Sequence, residues 1–532
     1  MRAPLYKRPA PFNPRELTEE GGMRTFYVTT PIYYPNAPPH IGHAYTTVYA
    51  DVLARYNRLV GRKVFFLTGN DEHGLKLQRA AEAAGKSPKE FVDEMAGVYR
   101  KYWLALNISY DHFIRTTDPY HEKVVSEAFA RLHRAGHIYK AKYGGWYCVD
   151  CEKYYSPGEY VEVDGRPHCP IHNKPLEWLE EETYYFRLSD FKDYVVDLLA
   201  NRDIVRPRQY AEEVLQRVAK EGLRDVSVAR PRERVSWGVP VPFDPSYTIY
   251  VWFDALLNYV SGAGYGEDAA RFNELWEGVH HVIGKDILWF HTVVWFSLLK
   301  ALDIPPPNKL LVHSYLINRG LKIGKSAGNV ISIEELLDRY GGADGARYVL
   351  MRVFNMDKDV EVSFDVFDSI YLSELADTYG NLARRVGVLA EKKLKGKVYR
   401  REVHEKIASA AEAALAKYVE SMENYDVAGA LEAAMGLARE ANAFVNETKP
   451  WEKSEPSKEL YSLLEAIRLT TIMLHPVAPS ATLRLAEAFG FRITSPREAK
   501  VGGVERYSIA GSPILFRKGQ VQRARAGQQA EG

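Results

Sequence analysis

Apolar positions along this chain follow two different periods, and the change between them marks its organisation. Phe26-Tyr27-Val28-Thr29-Thr30 is β-branched and aromatic throughout and predicts a buried strand. Tyr45, Tyr49, Val52, Tyr56 and Leu59 then recur every three or four residues up to Gly61, which predicts an amphipathic helix with a glycine stop. Lys63-Val64-Phe65-Phe66-Leu67-Thr68 predicts a second strand, His281-Val282-Ile283-Gly284-Lys285-Asp286 a third and Leu310-Leu311-Val312-His313 a fourth. A helix-like run, Ile287 to Leu299, separates the last two. Strands alternating with helices predict an α/β fold with a doubly wound parallel sheet, interrupted by an insertion over roughly 139–245. From about residue 373 the pattern becomes alanine-rich and helical: Ile407, Ala411, Leu415, Tyr418 and Met422 mark one apolar face, and Leu460, Leu464, Ile467, Thr471 and Leu474 another. A C-terminal α-helical bundle is expected there.

A chain of 532 residues exceeds a single core. With 46% apolar and 26% charged residues it has the composition of a globular protein, and no apolar run reaches membrane-spanning length. Residues 1–22, with four prolines, read as a poorly ordered extension without a secretory signal, so a cytoplasmic location is expected. The net charge of +1 means that any anion-binding surface must be local.

Three cysteines, all within 22 residues, exclude a disulfide framework and point to a metal. Cys148-x-x-Cys151 is followed by Cys169-x-x-His172, two ligand pairs able to complete one tetrahedral Cys3His zinc site. Four protein ligands leave no open position, so the expected zinc is structural. Elsewhere, His40-Ile41-Gly42-His43 falls on the first strand-to-helix turn, where backbone N–H groups and the helix dipole meet phosphate in doubly wound sheets. Gly69-Asn70-Asp71 ends the second strand and puts a carboxylate at the same crevice, suited to an ammonium group. Beyond the fourth strand, Leu321-Lys322-Ile323-Gly324-Lys325-Ser326-Ala327-Gly328-Asn329 offers two lysines, glycines and a serine as an anion clamp.

Together, His40-Ile41-Gly42-His43 and Lys322-Ile323-Gly324-Lys325-Ser326 resemble the HIGH and KMSKS signatures of class I aminoacyl-tRNA synthetases. The second signature departs at Ile323 and Gly324 but keeps both lysines and the serine. Within the class the chain is similar to the methionyl-tRNA synthetases with a single zinc knuckle. Pro31-Ile32-Tyr33-Tyr34-Pro35-Asn36, Gly69-Asn70-Asp71-Glu72-His73-Gly74, Val251-Trp252-Phe253-Asp254-Ala255 and Gly284-Lys285-Asp286-Ile287 support this.

The resemblance implies a ligase that activates methionine with ATP and Mg²⁺ and transfers it to the 3′-terminal adenosine of tRNA(Met). It implies contacts to ATP and pyrophosphate from His40, His43, Lys322 and Lys325, and nucleotide contacts from Gly42, Gly284, Asp286 and Ser326. Asp71 is expected to hold the α-ammonium, and Ile32, Tyr34, Trp252, Tyr259, Ile287 and His291 to line the side-chain pocket, with Tyr259 and His291 as donors near sulfur. Asn381, Arg385 and Trp451 match positions that recognise the anticodon.

The expected units are an extension, 1–22; two halves of a Rossmann-like catalytic domain, 23–138 and 246–320; and a connective insertion, 139–245. A lysine-loop and stem-contact region, 321–372, a helical anticodon-binding domain, 373–516, and a flexible tail, 517–532, follow. A monomer is expected, with a separate tRNA-binding subunit as the alternative source of a further module. A cysteinyl-type synthetase, a small-cofactor nucleotidyltransferase and a non-catalytic tRNA-binding paralogue are the competing readings. The ligand pairs in a compact insert oppose the first, the C-terminal helices the second, and the intact histidines and lysines the third.

Overall fold

The computed structural model describes residues 25–149, 151, 153–155, 158–318, 320–323, 331–519 and 521–524, so the expected extension at 1–22 lies outside the described residues. Its centre is a six-stranded sheet of β1 (Thr25–Tyr33), β2 (Lys63–Asn70), β3 (His112–Arg115), β4 (Val205–Arg206), β5 (Val279–Gly284) and β6 (Lys309–His313). The spatial order is β3-β2-β1-β5-β6-β4 and every pairing is parallel. Helix α1 (Ile41–Leu59) leaves β1 toward β2 on one side, while β5 lies on the other. The carboxyl ends of β1 and β5 therefore flank the crevice in which such sheets bind ligands.

All four strands read from the sequence are present, with two corrections. β5 stops at Gly284, because Lys285–Ile287 turn as a short 3-10 segment rather than continuing the strand to Asp286. β4 comes from inside the expected insertion and pairs with Leu310 and Leu311. Two residues carry no alternation, so nothing in the pattern announced that the insertion returns a strand to the main sheet. The rest of the insertion includes two helices, Lys192–Asn201 and Arg208–Glu221, and a four-stranded antiparallel sheet in which Ile138–Cys148 pairs along its length with Glu177–Phe186.

The remaining helices used below are α2 (Pro119–Arg134), α3 (Ala343–Arg352), α4 (Asn381–Leu394), α5 (Glu405–Glu423), α6 (Val427–Thr448), α7 (Ser457–Leu474) and α8 (Pro479–Phe489). The expected boundary at 373 falls within unbroken helix: Phe364–Ile370 runs into a π-helical stretch, Tyr371–Gly380, and that into α4. The five positions read as the apolar face of α5 are all buried. On α7 the five-residue face understates the burial, since every residue from Leu460 to Leu474 is buried. A helix enclosed on all sides must neutralise its own polar groups. Glu465 and Arg468 pair at 2.7 Å within it, and the Glu465 carboxylate also accepts from the Tyr507 hydroxyl.

One apolar cluster runs from Phe26 and α1 through α3 into α4 to α8, ending at Val521. A fully buried ion pair sits in the same region. Arg347 on α3 lies 2.7 Å from Asp51 on α1 and donates to the carbonyls of Val477 (2.8 Å) and Pro476 (2.9 Å) at the end of α7. Arg55 and the backbone and hydroxyl of Ser109 complete the Asp51 carboxylate. Further along α1, the Tyr49 hydroxyl donates to the carbonyl of Tyr425 at 2.8 Å and that of Tyr56 to Glu423 at 2.7 Å. No described helix is long and apolar enough to cross a membrane.

Candidate active site and metal centre

The turn after β1 is built by its own histidines. His40 is the N-cap of α1: its Nδ1 accepts from the backbone N–H of Gly42 at 3.0 Å, and His43 Nδ1 accepts from the backbone N–H of His40 at 3.1 Å. Each Nδ1 is thus an acceptor, so each neutral ring carries its proton on Nε2 as a donor. The two rings lie 4.1 Å apart, and His43 meets Tyr33 edge-on at 4.8 Å. A Cβ on Gly42 would come within 2.9 Å of the His40 ring, so the space there first serves that ring's fold-back.

Asp71 follows β2 directly. One carboxylate oxygen, Oδ1, is buried without a hydrogen-bond partner. Burial and then the negative charge of Asp254 push this carboxyl well above the ordinary carboxylate range, while His73 acts in the opposite direction. A buried acceptor oxygen without a partner is matched by a cationic ligand group. Behind it, Asp254 accepts from His73 (2.6 Å) and His121 (2.8 Å), a cluster the sequence reading did not assemble. Its signal lay in residues already quoted, His73 beside Asp71 and Asp254 beside Trp252, but nothing in sequence spacing joined them to His121 on α2.

Of the pocket candidates, Trp252, Tyr259, Ile287 and His291 meet at the π-helical segment Phe290–Trp295. Single π turns recur at functional sites because they re-aim side chains. His291 Nδ1 lies 3.0 Å from the carbonyl of Ile287 and therefore bears the proton, so Nε2 accepts from the Tyr259 hydroxyl at 2.9 Å. Burial lowers His291 to about 4, which keeps the ring neutral. This amends the expected donor pair, since both N–H and O–H are spent within the protein. Trp252 stacks on Phe290 at 3.9 Å, an aromatic neighbour the sequence reading omitted. Ile32 on β1 and Ile287 are half-buried beside the same core. Tyr34 lies over Gly74, whose φ of +107° suits glycine and where a Cβ would come within 2.9 Å of the hydroxyl.

On the far side of the crevice, a Cβ on Gly284 would lie 2.6 Å from Asp286 Oδ1, so glycine lets that carboxylate fold back over the turn. Lys285 pairs with Asp359 at 2.7 Å and lies over the Tyr315 ring, tying this turn to the root of the lysine loop. Lys322 is in a short strand paired with Ile317, while Lys325 and Ser326 lie outside the described residues.

Cys148, Cys151, Cys169 and His172 bring their ligand atoms within 4.8 Å of one another. The separations are 3.4 Å from Cys151 Sγ to Cys169 Sγ, and 3.2, 3.6 and 3.9 Å from His172 Nδ1 to the sulfurs of Cys151, Cys169 and Cys148. Zn–S bonds of about 2.3 Å give tetrahedral edges of about 3.8 Å, so the set fits one zinc ion. The x2 spacing acts as expected: the N–H of Cys151 points at Cys148 Sγ and that of His172 at Cys169 Sγ, both at 3.4 Å. The Tyr155 hydroxyl contacts Cys151 Sγ at 3.1 Å and Cys169 Sγ at 3.4 Å from outside the ligand set.

Comparison with known proteins fits this geometry. The model for class I tRNA synthetases (M) matches residues 26–174 and 164–387. The methionine–tRNA ligase of Caldanaerobacter subterraneus subsp. tengcongensis is 39% identical over 516 residues, covering 94% of this chain and 80% of its own length. That of Thermotoga maritima is 38% identical, covering 89% and 76%. The chain belongs to the methionine–tRNA ligase family. Among solved methionyl-tRNA synthetases, that of Mycobacterium tuberculosis in complex with methionyl-adenylate superposes with a TM-score of 0.86 at 35% identity, covering 93% of this chain and all of that one. Its free form gives a TM-score of 0.78 at 32% identity, covering 94% and 99%.

For a methionine–tRNA ligase the helical candidates are equally of interest. Asn381 opens α4, and Arg385 lies one turn later. The Arg385 guanidinium covers the Trp451 ring at 4.8 Å and donates to Asn446 at 3.1 Å, while Trp451 stays 37% exposed just past α6. Two residues 66 positions apart in sequence are thus in contact on one surface of the bundle.

Proposed function

We propose that the crevice at the carboxyl ends of β1, β2 and β5 activates L-methionine with ATP and transfers the methionyl group to the 3′-terminal adenosine of tRNA(Met). The observation that carries the reading at the site is the partnerless Oδ1 of Asp71 at an aromatic pocket, in a chain of this family. The ammonium of methionine supplies the missing partner. Its carboxylate, already ionised, attacks the α-phosphorus of ATP; the bond to the bridging oxygen breaks and pyrophosphate leaves. No general base is needed, so catalysis rests on alignment and on stabilising phosphate charge.

His40 and His43 supply Nε2 donors, and Lys322 and Lys325 supply charge, to ATP arriving with Mg²⁺. Gly42, Gly284, Asp286 and Ser326 receive the nucleotide. Ile32, Tyr34, Trp252, Tyr259, Ile287 and His291 enclose the thioether. Because Tyr259 and His291 are engaged with each other, selection comes from shape and apolar lining, worth about 1–3 kcal/mol per methylene. In the second step a hydroxyl of the terminal adenosine attacks the methionyl carbonyl and AMP leaves.

Amino-acid-dependent ATP–pyrophosphate exchange, run separately with methionine and with cysteine, tests this reading. Exchange with methionine alone is expected, and its absence refutes the assignment.

The bundle surface of Asn381, Arg385 and Trp451 takes the anticodon, the indole stacking on an unpaired base and the other two binding base edges. Trp451→Ala is expected to leave pyrophosphate exchange unchanged while lowering tRNA charging by about 1–3 kcal/mol in kcat/KM. Equal losses in the two assays contradict the assignment. A zinc ion held by Cys148, Cys151, Cys169 and His172 would fix the shape of the insertion. Cys169→Ser is expected to release it and loosen the knuckle; full zinc retention by metal analysis shows the ligand set to be wrong.

A further inference from the structure

Asp254, two residues after the pocket candidate Trp252, is 1% exposed. Its two oxygens are divided between two buried histidines: Oδ2 with His73 Nδ1 at 2.6 Å and Oδ1 with His121 Nε2 at 2.8 Å. His121 Nδ1 in turn meets the Ser261 hydroxyl at 2.7 Å. The other nitrogen of His73, Nε2, faces Glu122 on α2 at 3.5 Å. An imidazole placed between two carboxylates has N–H for both only when it is protonated. His73 is therefore an imidazolium, buried two residues after Asp71. The charges facing Asp71 are Glu72 and His73 on its own turn and Asp254 from the helix Val251–Leu256; both carboxylates disfavour its ionisation, and His73 favours it. Glu72 is itself paired with Arg115 at 2.7 Å.

We propose that His73 is a positioning residue for methionine capture: anchored by Glu122 and by Asp254, itself held by His121, it keeps a fixed positive charge against Asp71 and so lowers the pH above which the carboxylate meets the substrate ammonium in its ionised form. This rests on the reading of Asp71 as the ammonium site. Without the cation, burial and Asp254 act on Asp71 against only the backbone N–H of residue 73. Its carboxyl then holds a proton at higher pH, and methionine capture fails first on the acid side.

The test is the KM for methionine and for ATP in pyrophosphate exchange by the full-length enzyme between roughly pH 6 and 8, comparing wild type, His73→Gln, His73→Lys and Asp71→Asn. His73→Gln is expected to raise the methionine KM by about tenfold per pH unit lost below neutrality relative to wild type, with the ATP KM within about twofold. His73→Lys, which retains a cation, is expected to recover most of the wild-type profile. Ser261→Ala, at the far end of the chain of contacts, gives a smaller shift of the same sign and serves if the His73 variants fail to fold. A His73→Gln profile parallel to wild type, or a Lys variant no better than Gln, overturns the inference. If Asp71→Asn also leaves the methionine KM unchanged, the reading of Asp71 itself has failed. If Asp71→Asn raises it while His73→Gln stays parallel to wild type, only the role of His73 has.

Discussion

Asp71→Asn is expected to lower kcat/KM for methionine in pyrophosphate exchange by about 10²-fold or more, while the KM for ATP stays within about twofold. The substitution keeps the shape of the side chain and removes its charge. In the proposed complex Asp71 Oδ1, which has no protein partner, receives the substrate ammonium in a desolvated setting. Removing one member of a buried, hydrogen-bonded charge pair costs about 2–5 kcal/mol, much of it from leaving the other charge unmatched. At 1.4 kcal/mol per decade, about 3 kcal/mol is 10²-fold. The loss falls on methionine because His40 and His43, the histidines proposed to meet phosphate, sit on a different turn, after β1. A methionine KM within about twofold of wild type removes Asp71 from the site.

The second large effect is on stability. Arg347→Met is expected to cost about 3–5 kcal/mol, read as the shift in urea midpoint multiplied by the m-value. Methionine fills the volume, but the Asp51 carboxylate loses one of its two guanidiniums, and the carbonyls of Val477 and Pro476 lose their donor. The double variant Asp51→Asn with Arg347→Met should cost less than the sum of the single changes, because the second change removes the charge the first leaves exposed to poor surroundings.

The pH dependence gives a further check. Burial pushes the Asp51 carboxyl up, but Arg347, Arg55 and Ser109 outweigh it and hold it below the ordinary carboxylate value. A depressed carboxyl contributes stability above its unfolded pKa, about 3.9, which is lost as pH falls through the folded value. Arg347→Met should therefore shrink the difference in stability between roughly pH 5 and pH 3. An additive double variant, or an unchanged acid limb, shows that Asp51 and Arg347 do not act as a pair.

What the sequence disclosed was whatever repeats or clusters at short range. Phe26 to Thr30 and Lys63 to Thr68 announced strands because their residue types suit a buried pleated surface, and the Cys-x-x-Cys and Cys-x-x-His pairs fixed their own turns. The position of Asp71 was legible because it directly follows a strand. The cluster around Asp254 was not: His73 lies 181 residues from it and His121 lies 133, and a buried charged histidine looks the same in sequence as a solvated one. The Tyr259–His291 bond was invisible for a different reason, since both residues had been assigned to the pocket but their tautomer depends on the carbonyl of Ile287. The strand at Val205–Arg206 is too short for any period to show.

The apolar cluster that passes from the sheet into the helices has a bearing on how the molecule can be divided. The change of sequence period at 373 invites a cut there, yet Tyr340, Tyr348 and Leu350 on one side share their packing with Tyr379, Leu463 and Phe516 on the other. Severing the chain at that point would leave two raw faces in water and strand a buried ion pair at the edge of one of them. The bundle is thus part of the wall against which α1 rests, and an engineered minimal version of the chain would have to rebuild that wall before it could do without the bundle.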